Sequence, residues 1–117
     1  MHELSIAVNL LALIDKTARR HQMVQVNKVI VRAGELTAIV PQSLRFCFDE
    51  IKKGTVAAQA ELQVEIMPLG GYCPQCQREF KIEALRFSCP QCQNQEIKVV
   101  TGEEISLYQV DGEKDGS

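Results

Sequence analysis

Apolar residues recur at three- and four-residue spacings through the first twenty positions. Leu4, Ala7, Val8, Leu11, Ile14 and Ala18 share one face, and Ile6, Leu10 and Leu13 widen it. The pattern predicts a helix from Glu3 to about Arg20, buried over more than half of its circumference. Glu3 suits the start of that helix, and Arg19, Arg20 and His21 its end, as the helix dipole prefers. Val26 to Ala33 is rich in β-branched residues and predicts a strand that Gly34 ends. Pro41 fits the first position of a second helix, striped by Leu44, Phe48 and Ile51 and stopped at Gly54. Leu62, Val64 and Ile66 alternate with Gln63 and Glu65, the signature of a half-buried strand. Strand, crossover helix and strand make a βαβ unit, by rule right-handed and parallel. Glu104 to Asp111 predicts a last strand returning to the same sheet, with Ile105, Leu107 and Val110 inward. The polar tail from Gly112 to Ser117 reads as frayed.

The pattern breaks at Pro68-Leu69-Gly70-Gly71. From there to about Gly102 the chain has little apolar content, with Phe80, Ile82, Leu85 and Phe87 expected on short strands. So small a piece cannot bury enough surface to fold alone. The expected architecture is α+β: a small mixed sheet with two helices, residues 1–68 and 103–117, carrying an inserted domain over 69–102. Gly70-Gly71 reads as a hinge on which the insert could swap between chains, so both a monomer and a domain-swapped homodimer fit.

With 117 residues and 45% apolar content, one modest domain with an insert is affordable. The net charge of −2 gives no reason to expect a nucleic-acid or anionic-membrane partner. Leu10 to Ile14 is far too short an apolar run to span a bilayer, and the Met-His-Glu start shows no targeting segment. Five cysteines is an odd count for a secreted disulfide scaffold. The expected compartment is a reducing cytoplasm, where paired Cys-x-x-Cys motifs favour metal over disulfide.

Four of those cysteines supply the strongest chemistry. Cys73-Pro74-Gln75-Cys76 and Cys89-Pro90-Gln91-Cys92 are two knuckles separated by twelve residues, able to set four thiolates tetrahedrally around one ion. Zn²⁺ suits that set best, and a closed Cys₄ shell leaves no position for catalysis. A redox dithiol or a pair of disulfides competes with this reading. A nucleic-acid-binding ribbon is disfavoured: Arg78, Lys81, Arg86 and Lys98 barely outweigh Glu79, Glu83 and Glu96, and no row of aromatics offers stacking.

The start of the chain offers a second chemistry. With a bulky second residue Met1 is expected to be retained, so an α-amine, an amide nitrogen and the His2 imidazole stand at chelating spacing. Such donors suit Ni(II) or Cu(II), and Glu3 could add a carboxylate oxygen or orient the imidazole. The alternative is a solvated terminal histidine and an ordinary first-turn glutamate. His21 is most simply a helix-end cation, and Cys47 a small buried hydrophobe. No nucleophile is paired with a base, so an enzyme is not expected.

Taken together, Met1-His2-Glu3-Leu4-Ser5-Ile6, Ala33-Gly34-Glu35-Leu36, Phe46-Cys47-Phe48-Asp49, Gly54-Thr55-Val56-Ala57 and the paired Cys-x-x-Cys resemble the HypA/HybF hydrogenase-maturation nickel metallochaperones. The likeness runs from Met1 to about Val110. It implies a nickel-binding α/β domain with an inserted zinc domain. It also implies delivery of Ni²⁺ to a [NiFe]-hydrogenase large-subunit precursor, together with a HypB-type maturation GTPase. On that likeness His2 is the nickel ligand, helped by the terminal amine and Glu3, with nickel held transiently. Cys73, Cys76, Cys89 and Cys92 match the structural zinc ligands. Two departures remove further candidate ligands: Val40-Pro41 follows where some relatives carry an acidic residue, and Gln93 stands where others carry a histidine. A zinc-ribbon adaptor without transferable metal is the competing class.

Overall fold

The computed structural model describes residues 3–115. Helix α1 spans Glu3–Arg20 and strand β1 Met23–Gly34, followed by a 3-10 turn at Glu35–Thr37. Helix α2 spans Pro41–Ile51, β2 Glu61–Met67, β3 Gly70–Cys73, β4 Arg78–Lys81, β5 Lys98–Thr101 and β6 Ile105–Lys114. Two three-stranded sheets result, ordered β2-β1-β6 and β4-β3-β5. Among the described residues no helix is long and apolar enough to cross a membrane.

The chain divides into two compact units, one of residues 1–32, 39–65 and 106–117, the other of 33–38 and 66–105. Among the described residues the first holds fifteen of the twenty buried apolar ones. Its helices pack on each other, with Ile6, Leu10 and Ile14 from α1 and Leu44 and Phe48 from α2 out of solvent beside Val29 and Val31 of β1. The buried face of α1 is Ile6, Ala7, Leu10, Ile14 and Ala18. Leu4, Val8 and Leu13 each remain about half exposed, so α1 buries one face and not most of its circumference. A helix packed from one side only can shelter no more.

Pro41 opens α2 as its residue type favours. The helix ends at Ile51, earlier than expected, and Lys52 donates its backbone N–H to the Phe48 carbonyl. Gly54, at φ +77°, then turns the chain in a conformation that other residues adopt at a cost. Thr55 Oγ1 closes the turn by donating to the Lys52 carbonyl at 2.5 Å and accepting from the Ala57 N–H at 3.1 Å.

Strand β1 begins earlier than its β-branched run, and β6 runs on to Lys114 through what the sequence marks as a frayed tail. Backbone pairing explains both. Asp115 N–H donates to the Gln22 carbonyl, and the bare Cα of Gly112 rests on the Gln25 carbonyl. These contacts run in opposite chain directions, so β6 is antiparallel to β1. Contacts between β1 and the β2 segment climb together, from Val26–Val56 to Arg32–Glu65, the sense expected of a parallel crossover. Arg32 links all three strands of this sheet. Its guanidinium pairs with Glu65 at 3.0 Å and lies 3.4 Å from the Tyr108 ring centroid. Tyr108 is half exposed, and such a pairing is worth about 0.5–1 kcal/mol there.

The second unit buries only Ala33, Leu69, Cys73, Ile82 and Cys89 of the apolar set. Gly70-Gly71 is not a free hinge. Both glycines lie in β3, paired antiparallel with β4 and with β5. A methyl on Gly71 would meet Phe80 Cζ at 2.8 Å, so close packing and not flexibility demands the missing side chain. Ile82, Leu85 and Phe87 belong to no strand; Ile82 is buried, whereas Leu85 and Phe87 stay exposed. At its base, Gly34 N–H donates to the Glu104 carbonyl at 2.8 Å and Leu36 N–H to the Gly102 carbonyl at 2.9 Å. A methyl on Gly34 would overlap the Gly102 carbonyl group, which is backbone and cannot rotate away. Gly34→Ala should therefore lower unfolding stability by about 2–3 kcal/mol in a denaturant titration. An unchanged midpoint would show that the crossing can open without cost.

Candidate metal centre

The first knuckle is the turn of the β3–β4 hairpin. Cys73 pairs with Arg78 in register, so Pro74, Gln75, Cys76 and Gln77 form the loop between them. The second knuckle repeats the arrangement without a formal strand pair. Cys89 N–H donates to the Asn94 carbonyl at 2.9 Å, and Gln93 N–H to the Cys89 carbonyl at 2.8 Å. Gln77 and Gln93, each directly after the second cysteine, both take left-handed backbone, at φ 55° and 62°. The repeated sequence Cys-Pro-Gln-Cys-Gln therefore folds twice into the same loop. Arg78 Nη1 joins the two loops by donating to Gln91 Oε1 at 2.5 Å.

The loops bring all four sulfurs within 4.8 Å of one another. Cys73 Sγ lies 3.6 Å from Cys92 Sγ, and Cys89 Sγ 3.9 Å from Cys76 Sγ. Four thiolates at zinc–sulfur bond length on a tetrahedron stand about 3.8 Å apart along each edge. The spacing fits an ion of that size and is too wide for disulfides, whose sulfurs bond at about 2.05 Å. Cys73 and Cys89 are buried, Cys76 is half-buried and Cys92 exposed.

Backbone donors divide the thiols into two kinds. The Cys76 N–H, 3.4 Å from Cys73 Sγ, holds the Cys73 thiol below its ordinary range, with burial opposing. The equivalent Cys92 N–H lowers Cys89 to about 7, again against burial. Cys76 is pushed up to about 12 by its hydrogen bond with the Cys92 thiol and by burial. At Cys92 the Asn94 N–H and the Cys76 thiol pull downward, but burial and the Cys73 and Cys89 thiols raise the group overall. The leading cysteine of each knuckle thus carries the lowered thiol and the second the raised one, and lowering favours the thiolate, the form that ligates metal.

Of the other residues singled out in the sequence, His2 lies outside the described residues. Glu3 is half-buried in the first turn of α1. His21 follows the far end of that 18-residue helix, about 27 Å away at 1.5 Å per residue, and cannot join a site at Glu3 in the same chain. Cys47 is half-buried on α2 and outside the cluster. Asn94 escaped the sequence reading, and Arg78 and Gln91 entered it only as a charge and a spacer. The signal that marks Arg78 and Asn94 is positional, since each stands five residues after the leading cysteine of a knuckle.

A helix-bearing α+β unit combined with a four-cysteine cluster that could hold a metal ion defines a small protein of the metal-binding class. Residues 1–112 match the sequence profile of a family described as hydrogenase/urease nickel incorporation, metallochaperone, hypA. A hydrogenase maturation factor HypA of Chlorobium luteolum is 33% identical over 116 residues, covering 99% of each chain. That of Desulfatibacillum aliphaticivorans is 38% identical over 113 residues, 95% of this chain and 86% of the relative. The solution structure of the Ni metallochaperone HypA from Helicobacter pylori superposes with a TM-score of 0.75 at 25% identity, covering 98% of this chain and all of that one. The chain belongs to the HypA family of nickel-incorporating metallochaperones, which act in hydrogenase maturation.

Proposed function

We propose that this protein carries Ni²⁺ at its amino terminus and delivers it to a [NiFe]-hydrogenase large-subunit precursor, in concert with a HypB-type maturation GTPase in the cytoplasm. His2 is the nickel ligand, with the terminal amine as a second nitrogen donor and Glu3 supplying an oxygen or orienting the imidazole. Cys73, Cys76, Cys89 and Cys92 hold Zn²⁺ permanently as a structural ion. The division of labour follows residues 1–68 and 103–117 as the nickel-binding domain and 69–102 as the zinc-binding domain, in a monomer or a homodimer. The protein transfers a metal and catalyses no bond change.

The observation that carries this reading is the closed thiolate cage. Four sulfurs lie within 4.8 Å of one another, enough to fill a tetrahedral zinc on their own, so a cargo ion must find other donors. His2 and His21 are the only imidazoles in the sequence. Soft thiolates and a small nitrogen site then keep two metals apart in one chain, the first binding irreversibly on the time scale of delivery and the second exchangeably. Titrating Ni²⁺ into zinc-loaded protein should fill one further site per chain, with the absorption band of a planar nickel complex. Retention of zinc with no nickel uptake would make the protein a zinc-ribbon adaptor instead.

A further inference from the structure

One residue reaches a cysteine of each knuckle without being a ligand. Asn94 accepts the Cys89 N–H on its carbonyl at 2.9 Å. Its side-chain Nδ2 lies 4.0 Å from Cys73 Sγ, in the opposite knuckle. The orientation of the amide is fixed from the other side, because Oδ1 accepts the Glu96 N–H at 3.0 Å. That bond settles which end of the amide is oxygen, so the NH₂ group faces the thiolate. Asn94 is half-buried, and its backbone is held by the second knuckle itself.

We infer that Asn94 is a positioning residue of the metal centre, a clamp whose side-chain N–H stabilises the Cys73 thiolate and locks the two knuckles around the ion. This rests on the reading that the four thiolates hold a metal. Four thiolates on a divalent ion leave the centre with a net charge of −2, and every N–H directed at sulfur spreads that charge and slows ligand dissociation. Cys73 already receives the Cys76 N–H at 3.4 Å. Asn94 adds the donor that comes from the other loop, so opening either knuckle breaks it. Arg78, the equivalent residue of the first knuckle, reaches across to Gln91 and not to a sulfur. The clamp is therefore asymmetric: one knuckle grips the other's thiolate, and the return grip is on a side chain.

The test uses the full chain loaded with Zn²⁺ or Co²⁺. Asn94→Asp keeps the Oδ1 acceptor for Glu96 and the backbone bonds, but replaces the donor with a carboxylate oxygen. Zinc transfer to a chromogenic chelator should be at least about tenfold faster than in the unaltered protein, the range of outer-shell losses. In the cobalt form the sulfur-to-metal charge-transfer band should move to lower energy, a signature that a purely architectural role would not produce. Asn94→Ala removes donor and acceptor together and should transfer zinc faster still. Transfer rate and band position unchanged in Asn94→Asp would overturn the clamp while leaving the metal centre standing. An unaltered protein that retains neither zinc nor cobalt would overturn both.

Discussion

Stripping zinc from the four-cysteine cluster should unfold residues 66–105 while leaving α1 and α2 intact. In that unit the buried apolar side chains other than cysteine are Ala33, Leu69 and Ile82. A buried leucine or isoleucine contributes about 1.5–3 kcal/mol, whereas a structural zinc contributes roughly 10–16 kcal/mol. A bound zinc would thus be the larger part of the core. Cys89→Ser should act as stripping does, since it removes a buried ligand. Amide resonances of 66–105 should collapse to random-coil positions, and far-ultraviolet circular dichroism should keep its helical shape, because the helices draw on a core of fifteen buried residues elsewhere. Dispersed resonances in the metal-free chain would show that the unit stands without the ion.

The second large effect falls on nickel. His2→Ala should weaken Ni²⁺ binding by more than about a hundredfold, since even the loss of an outer-shell partner costs 10–100-fold. Zinc content and folding should not change. The pH dependence has a definite sign: protons compete with the metal for the amine and imidazole nitrogens, so affinity falls as pH drops. Extending the chain ahead of Met1 should also weaken binding, because the amine becomes an amide. Calorimetry on zinc-loaded protein reads all three effects. Equal nickel affinity in His2→Ala would remove the amino terminus from the mechanism.

The order of the two helices and of β1, β2 and β6 was readable because its signals are local, whereas β3 and β5 gave no such signal. Glu3 and Arg20 bound the first helix where charge and periodicity place them, and Pro41 opens the second. The cluster was equally legible, since a Cys-x-x-Cys spacing encodes its own turn. What resisted reading depends on partners remote in sequence. Leu4, Val8 and Leu13 have the right spacing for burial, but no layer of this small unit reaches them. Gly70-Gly71 looks flexible in isolation, and only the Phe80 ring and Thr101 across the sheet show why side chains are missing there. The continuation of β6 through Gly112 depends on the Gln25 carbonyl, some ninety residues earlier in the chain. Asn94 was invisible for a related reason: an asparagine beside a cysteine is ordinary until a thiolate from the other knuckle faces it.

The crossing of Gly34 and Gly102 limits how this metal module can be moved. The second unit takes in residues 33–38 as well as 66–105, tied by the Gly34–Glu104 and Leu36–Gly102 hydrogen bonds. A segment cut at the knuckles and grafted into another scaffold would leave behind the strip that satisfies two of its backbone carbonyls. The transplantable piece is discontinuous, so a host must supply a neighbouring extended strand with a glycine where the chains touch. Cys-x-x-Cys pairs alone are portable as ligands; this module is portable only with its neighbour.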